Sequence, residues 1–145
     1  MRRASPRWNT VTGMSAPQGV QAYRPATLAD LAGWLADAAE DARWRLVVEF
    51  LEEYRHELAA DRWELLADEP PTTGDEHWDV LLAALAEHLA ARDGRGAPPW
   101  AEKRRLRQFW FPYDTRAARV DALVHAPAAF RRRGVFIAAH DLEVA

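Results

Sequence analysis

Three segments of this 145-residue chain space their apolar side chains like α-helices, and the breaks between them contain proline and glycine. A helix of this kind has one apolar face, which it buries by packing against other helices. The fold class is therefore predicted to be mainly α. We expect a compact helical domain of four to six helices, with at most a short strand near the C-terminus.

The first two helices are predicted from capping residues and apolar stripes. Thr27 and Asp30 have the spacing of a capping box, so the first helix should begin after Thr27 and end near Ala39. Asp41 is suited to cap the second helix. Its stripe covers more than half the helical circumference, which predicts a central position in the fold. The stripe consists of Trp44, Leu46, Val47, Val48, Phe50, Leu51, Tyr54 and Leu58.

A third long helix is predicted after the sequence EPPTTGDE. Thr73 or Asp75 should precede it, and it should end near Asp93, where Gly94 can serve as a C-terminal cap. Its expected buried stripe consists of Trp78, Leu81, Leu82, Leu85 and Leu89.

Shorter elements are predicted beyond residue 100. Asp114 or Thr115 can cap a fourth helix over residues 116–125, which Pro127 ends. A single helical turn closed by Gly134 should follow, and residues 135–137 are the candidate strand.

The formal net charge of −3 conceals a division along the chain. Residues 27–93 carry a net charge of −12, residues 98–145 carry +4, and the linker DGRGAPPW lies at the change. We predict an acidic helical body over 27–93 and a basic, aromatic-rich subdomain over 98–145 packed on it. Its basic groups can either pair with the acidic body or bind a partner.

Residues 1–26 carry four arginines and no acid, and they are predicted to form a disordered or extended lead. Met14 is a candidate start, which would make residues 1–13 non-native. The first residues lack the apolar core of a secretory signal, and no apolar run approaches the roughly 18–20 residues that span a bilayer. We therefore expect a cytoplasmic protein that does not bind membranes.

The absence of cysteine excludes disulfides, thiolate zinc sites and iron–sulfur clusters. Glu53 and His56 have the E-x-x-H spacing of di-iron bundles, but no second such pair is present. His77 and His88 fit no common zinc spacing. No nucleotide-binding or hydrolase motif occurs, so we expect no metal and no cofactor.

Basic and aromatic residues are interleaved in the sequence EKRRLRQFWF, and a second basic group follows near residue 131. Arginine and aromatic side chains dominate protein-binding hot spots, and the same mixture can contact phosphates and stack bases. A protein partner is the main expectation, and a nucleic-acid-associated helical domain is an alternative. The candidate contact residues are Lys103, Arg104, Arg105, Arg107, Phe109, Trp110, Phe111, Phe130, Arg131, Arg132, Arg133 and Phe136.

An enzymatic alternative rests on Arg119 and His125, whose R-x5-H spacing resembles the ribonuclease motif of HEPN-domain proteins. In that family the arginine and histidine act on the 2′-hydroxyl and phosphate of RNA. Six residues along a helix separate two side chains by about 120°, so convergence would require a bend near Pro127.

Several segments, taken in order, resemble antitoxin-like proteins of actinobacteria that are encoded beside nucleotidyltransferase-type toxins. These segments are WRLVVEFLEEYRHE, PPTTGDEHWDVLLAALAEHLAARDG, PPW, FWFPYDT and ALVHAPAAFRRRGVFI, and the resemblance covers about residues 28–143. It implies a non-enzymatic protein that neutralises a toxin by direct contact. The family often carries an N-terminal helix-turn-helix, which residues 1–26 are too few to form.

Overall fold

A computed structural model describes residues 24–143 of the chain. The predictions for residues 1–23 and 144–145 lie outside this range. The described part contains six α-helices and no strand, so the predicted mainly α class is confirmed. The helices are α1 (Leu28–Asp37), α2 (Glu40–Tyr54), α3 (Ala59–Ala67), α4 (Glu76–Arg92), α5 (Arg116–His125) and α6 (Ala128–Arg131). Two 3₁₀ turns cover Pro99–Lys103 and Ala139–Leu142.

The start of α1 is the predicted capping box. The backbone N–H of Asp30 donates to Thr27 Oγ1 over 3.1 Å, and the N–H of Thr27 donates to Asp30 Oδ2 over 3.0 Å. These bonds satisfy two N–H groups that the first turn would otherwise leave without partners. The predicted cap of the second helix is wrong. Ala39 is the N-cap of α2, without a side-chain bond, and Asp41 lies in the first turn.

The central helix is α4. The wide apolar stripe of α2 predicted that α2 would be central, and this prediction is wrong. Helix α4 packs against α1, α3, α6 and the first 3₁₀ turn. The predicted bounds are confirmed, because Asp75 caps its first turn and Gly94 follows it with φ +76°. Alanines enlarge its buried surface beyond the predicted stripe and let neighbouring helices approach. The buried residues are Trp78, Val80, Leu81, Leu82, Ala83, Ala84, Leu85, Ala86, Leu89 and Ala90.

The predicted stripe of α2 is too long at its C-terminal end. The helix ends at Tyr54, and a turn intervenes before α3. Leu58 therefore lies at the N-cap of α3, where its side chain is exposed. Leu46, Val47, Phe50, Leu51 and Tyr54 are buried as predicted.

The C-terminal elements follow the predicted order. Thr115 caps α5 by accepting a bond from the N–H of Ala118, and Gly134 closes the turn after α6 with φ +86°. The candidate strand is reduced to one parallel bridge between Val135 and Trp110. The two segments meet over too few residues for a ladder to form.

No helix within residues 24–143 is long and apolar enough to cross a membrane.

Candidate functional site

Three of the predicted contact residues are buried. Phe130 lies in the main core beside α4, and Phe136 packs with Phe111 in a smaller cluster under α5. Arg133 is 2% exposed. It bonds Glu87 and donates to the carbonyls of Ala129 and Ala101. The prediction that Phe130, Arg133 and Phe136 contact a partner is thus corrected, because their side chains hold the fold together.

Arg104 and Trp110 are half-buried and also serve the fold. Arg104 pairs with Glu69 at 3.1 Å and donates to the backbone carbonyls of Pro70 and Asp79. The ring of Trp110 stacks on His77, with 4.6 Å between ring centroids. These contacts attach the segment after the first 3₁₀ turn to α4 and to the loop that precedes it.

The remaining candidates reach solvent to different extents. Phe111 is half-buried, and the guanidinium of Arg119 lies 4.6 Å from its ring centroid. The exposed candidates are Lys103, Arg105, Arg107, Phe109, Arg131 and Arg132. Within residues 24–143, Arg105 and Arg107 make no ion pair. Their charge is therefore available to an external carboxylate.

The outer face of α5 carries three exposed apolar side chains. Val120, Leu123 and Val124 are 57, 47 and 64% exposed, whereas Ala122 is the buried residue of this ten-residue helix. We call these three side chains the α5 surface. Their i, i+3, i+4 spacing is that of a helix face which packs against another element. Here the face that packs inward is made of alanines, and the larger apolar face points to solvent.

Phe109 is a further exposed apolar side chain, and its ring contacts Phe136. It is 69% exposed, and its ring centroid lies 4.8 Å from that of Phe136. Phe136 in turn contacts Ala122 and Ala126 on the inner face of α5. Phe109 was among the sequence candidates, whereas the α5 surface was missed. The i, i+3, i+4 spacing of Val120, Leu123 and Val124 is the sequence signal that could have identified this surface.

Arg119 and His125 are not brought together as the ribonuclease alternative required. Arg119 pairs with Asp114 before the helix, and His125 Nδ1 lies 2.9 Å from Asp121 Oδ1. The helix runs from Arg116 to His125 without a bend, and Pro127 follows its end. The two side chains therefore keep the divergence of about 120° that a regular helix imposes.

Four titratable side chains meet where α5 faces the second 3₁₀ turn. Asp121 lies between His125 and His140, and His140 Nε2 is 2.6 Å from Asp121 Oδ2. Hydrogen bonds from His140 and His125 lower the pKa of Asp121, and the bond to Asp121 raises the pKa of His140. Asp141 Oδ1 lies 3.5 Å from His140 Nδ1. Imidazoles and carboxylates in this arrangement could hold a metal ion.

This cluster, which we call the His–Asp cluster, was not predicted from the sequence. Asp121 and His125 lie four residues apart on α5, a spacing that brings two side chains of a helix together. His140 lies nineteen residues beyond Asp121, and no periodic pattern connects the two. In the E-x-x-H pair, His56 Nδ1 lies 2.8 Å from the backbone oxygen of Glu52.

A cavity of about 140 Å³ lies between α2, α3, α4 and the second 3₁₀ turn. Burial and the neighbouring Asp93 carboxylate raise the pKa of Tyr54 in its wall to about 12. His88 also lines it, with a buried Nε2 that has no hydrogen-bond partner among residues 24–143. Burial and the positive charge of Arg92 lower the pKa of His88.

No protein-family model, curated protein or solved structure matches this chain. The antitoxin-like family therefore remains a resemblance, and the described residues define the class only as a compact all-α domain.

Proposed function

We propose that this protein is a non-enzymatic protein-binding module that contacts its partner through the α5 surface and Phe109. The observation that supports this proposal is the exposure of the side chains of Val120, Leu123 and Val124. A soluble domain gains about 25 cal/mol for each Å² of apolar surface that it removes from water, so an apolar helix face is normally covered. A partner that supplies an apolar groove would bury these side chains and Phe109 together.

The partner surface should be acidic around that groove. Arg116 lies one turn before Val120 on α5 and makes no ion pair within residues 24–143. Arg105 and Arg107 precede Phe109 and are likewise exposed. Positive groups that surround an apolar centre favour an acidic partner and speed its association.

The resemblance to antitoxin-like proteins supplies the identity of the proposed partner. We take it to be a nucleotidyltransferase-type toxin in the cytoplasm, neutralised by stoichiometric binding. The proposed contact set keeps the exposed members of the sequence prediction and adds the α5 surface. The exposed members are Lys103, Arg105, Arg107, Phe109, Arg131 and Arg132.

The test is co-expression with the product of the adjacent gene, followed by co-purification and a growth assay. The wild-type chain should form a complex and relieve toxicity. Leu123→Asp should weaken the complex at least about tenfold, because a charge cannot enter an apolar groove without a partner. Leu58→Asp is the matched control, since Leu58 is an exposed leucine outside α5.

Two negative results of this test would have different meanings. If the wild-type chain neither binds nor relieves toxicity, the antitoxin assignment is wrong. If Leu123→Asp and Leu58→Asp bind equally well, the neutralising surface lies elsewhere on the molecule.

A further inference from the structure

The His–Asp cluster joins α5 to the second 3₁₀ turn. Asp121 and His125 extend from the last two turns of α5, and His140 and Asp141 lie on the second 3₁₀ turn. One donor atom from each of Asp121, His140 and Asp141 falls within 4.8 Å of the others. His125 Nδ1 approaches the same Asp121 carboxylate to 2.9 Å from the opposite side.

We propose that Asp121, His140 and Asp141 bind a zinc ion, whose fourth position is open to water. Zinc binds imidazole nitrogen and carboxylate oxygen at about 2.0–2.2 Å, which places neighbouring ligands of a tetrahedral site about 3.3 Å apart. The 2.6 Å between His140 Nε2 and Asp121 Oδ2 must therefore widen by about 0.7 Å. Asp141, whose Oδ1 lies 3.5 Å from the other ring nitrogen of His140, must turn toward the same ion. The side chain of His140 is more than half exposed, so its ring can make this adjustment without disturbing the core.

The chemistry of the donors selects the ion. The imidazole of His140 suits zinc and other late first-row metals, whereas calcium and magnesium require mainly oxygen ligands. His140 and Asp141 lie in a 3₁₀ turn whose backbone is held by its own hydrogen bonds. The N–H of Asp141, for example, donates to the carbonyl of Ala138. The site therefore needs side-chain rotation and no refolding.

A bound ion would connect α5 to the second 3₁₀ turn. Ala122 is the one buried residue of α5 among the described residues, and it packs in a small cluster with Ala126 and Phe136. A metal bridge would therefore add a strong restraint to a lightly packed helix. The proposal stands independently of the partner, because it concerns the edge of α5 that carries Asp121 and not the α5 surface.

The experiment is isothermal titration of the full chain with zinc, supported by the visible absorption of the cobalt-substituted protein. We expect one saturable site, and His140→Ala should lower its affinity about tenfold or more, because outer-shell changes alone have effects of that size. Tetrahedral cobalt should show an intense visible band in the wild-type chain that is absent from His140→Ala. His56→Ala is the matched control, since His56 is an exposed histidine outside the cluster.

A second variant tests whether His140→Ala weakens zinc binding only by disturbing the structure. Asp141→Asn keeps the size of the side chain and removes its charge, and it too should weaken zinc binding. Zinc should also raise the thermal midpoint of the wild-type chain and of His56→Ala, but not that of His140→Ala. The proposal is overturned if no saturable site is found, or if both cluster variants bind zinc as the wild-type chain does.

Discussion

The guanidinium of Arg133 lies buried against the carboxylate of Glu87, which joins the turn after α6 to the middle of α4. The same carboxylate also accepts a bond from the exposed Arg132. Burial alone would raise the pKa of Glu87, but the hydrogen bonds from the two arginines outweigh it, and the pKa of Glu87 is lowered. Arg132 and Arg133 thus bond the same carboxylate, although Arg132 is exposed and Arg133 is buried.

Replacing Glu87 should destabilise the fold far more than replacing Arg132. Glu87→Ala leaves the buried Arg133 charge without its carboxylate, which should lower the free energy of unfolding by about 3 kcal/mol. Arg132→Ala removes an exposed partner and should change it by less than about 1 kcal/mol. Urea denaturation at neutral pH measures both values. Equal losses would show that the buried charge pair is not what distinguishes the two arginines.

Gly134→Ala should destabilise the protein, and Gly33→Ala should stabilise it. At Gly134, φ is +86°, and an added Cβ would lie 3.3 Å from the Cβ of Leu106. The left-handed backbone alone costs about 1–2 kcal/mol for a non-glycine residue. Gly33 lies inside α1 with nothing within 4 Å of an added Cβ, so alanine there should contribute about 0.5–1 kcal/mol.

Thermal or urea unfolding of the two alanine variants provides the comparison. A neutral result at Gly134 would mean that the turn after α6 adjusts its backbone without cost.

The stability of the protein should contain a pH-dependent contribution from His88. Burial and Arg92 hold its pKa below 6.5, although Glu143 opposes them. The unfolded chain then binds more protons than the folded chain as the pH falls below about 6.5, so stability is lost on acidification through that range. Above that pH both states are neutral at this residue, and the contribution disappears.

The measurement compares wild type with His88→Leu at pH 7.5 and pH 5.5. Leucine keeps an apolar contact with Phe130, whose ring centroid lies 5.8 Å from that of His88. The variant should gain stability relative to wild type at the lower pH. Titration of the remaining groups is common to both chains and cancels in the difference. If the stability difference between the two chains does not change with pH, the imidazolium of His88 is better solvated than its position in this structure implies.

The α5 surface should contribute little to folding, whereas Phe130, which follows α5 in the sequence, should contribute much more. Leu123→Ser should alter the free energy of unfolding by no more than about 0.5 kcal/mol, as for other exposed positions. Phe130→Ala opens the main core and should cost about 3–5 kcal/mol. Urea denaturation of both variants tests this, and a large loss for Leu123→Ser would mean that this face is already covered within the chain.

The sequence predicted those features that depend on neighbouring residues. The capping box at Thr27 and the bounds of α4 at Asp75 and Gly94 follow from hydrogen bonds and backbone angles within one turn. What covers each helix face could not be predicted. Val120, Leu123 and Val124 have the same kind of spacing as the buried leucines of α1, and spacing identifies an apolar face without saying what lies against it.

The roles of the individual arginines could also not be predicted from the sequence. Arg131, Arg132 and Arg133 are consecutive, and the third one is buried because it packs against α4 and the first 3₁₀ turn. The His–Asp cluster depends in the same way on how the second 3₁₀ turn returns to α5.

The way in which α4 is enclosed has a consequence for synthesis on the ribosome. One side of α4 is covered by α1 and α3, which precede it, and another by α6, which follows it by more than thirty residues. A nascent chain that has emerged only through α4 would expose the face that Phe130 later covers. Such an intermediate displays apolar surface for as long as translation of the following residues takes, and it is a natural client for a chaperone.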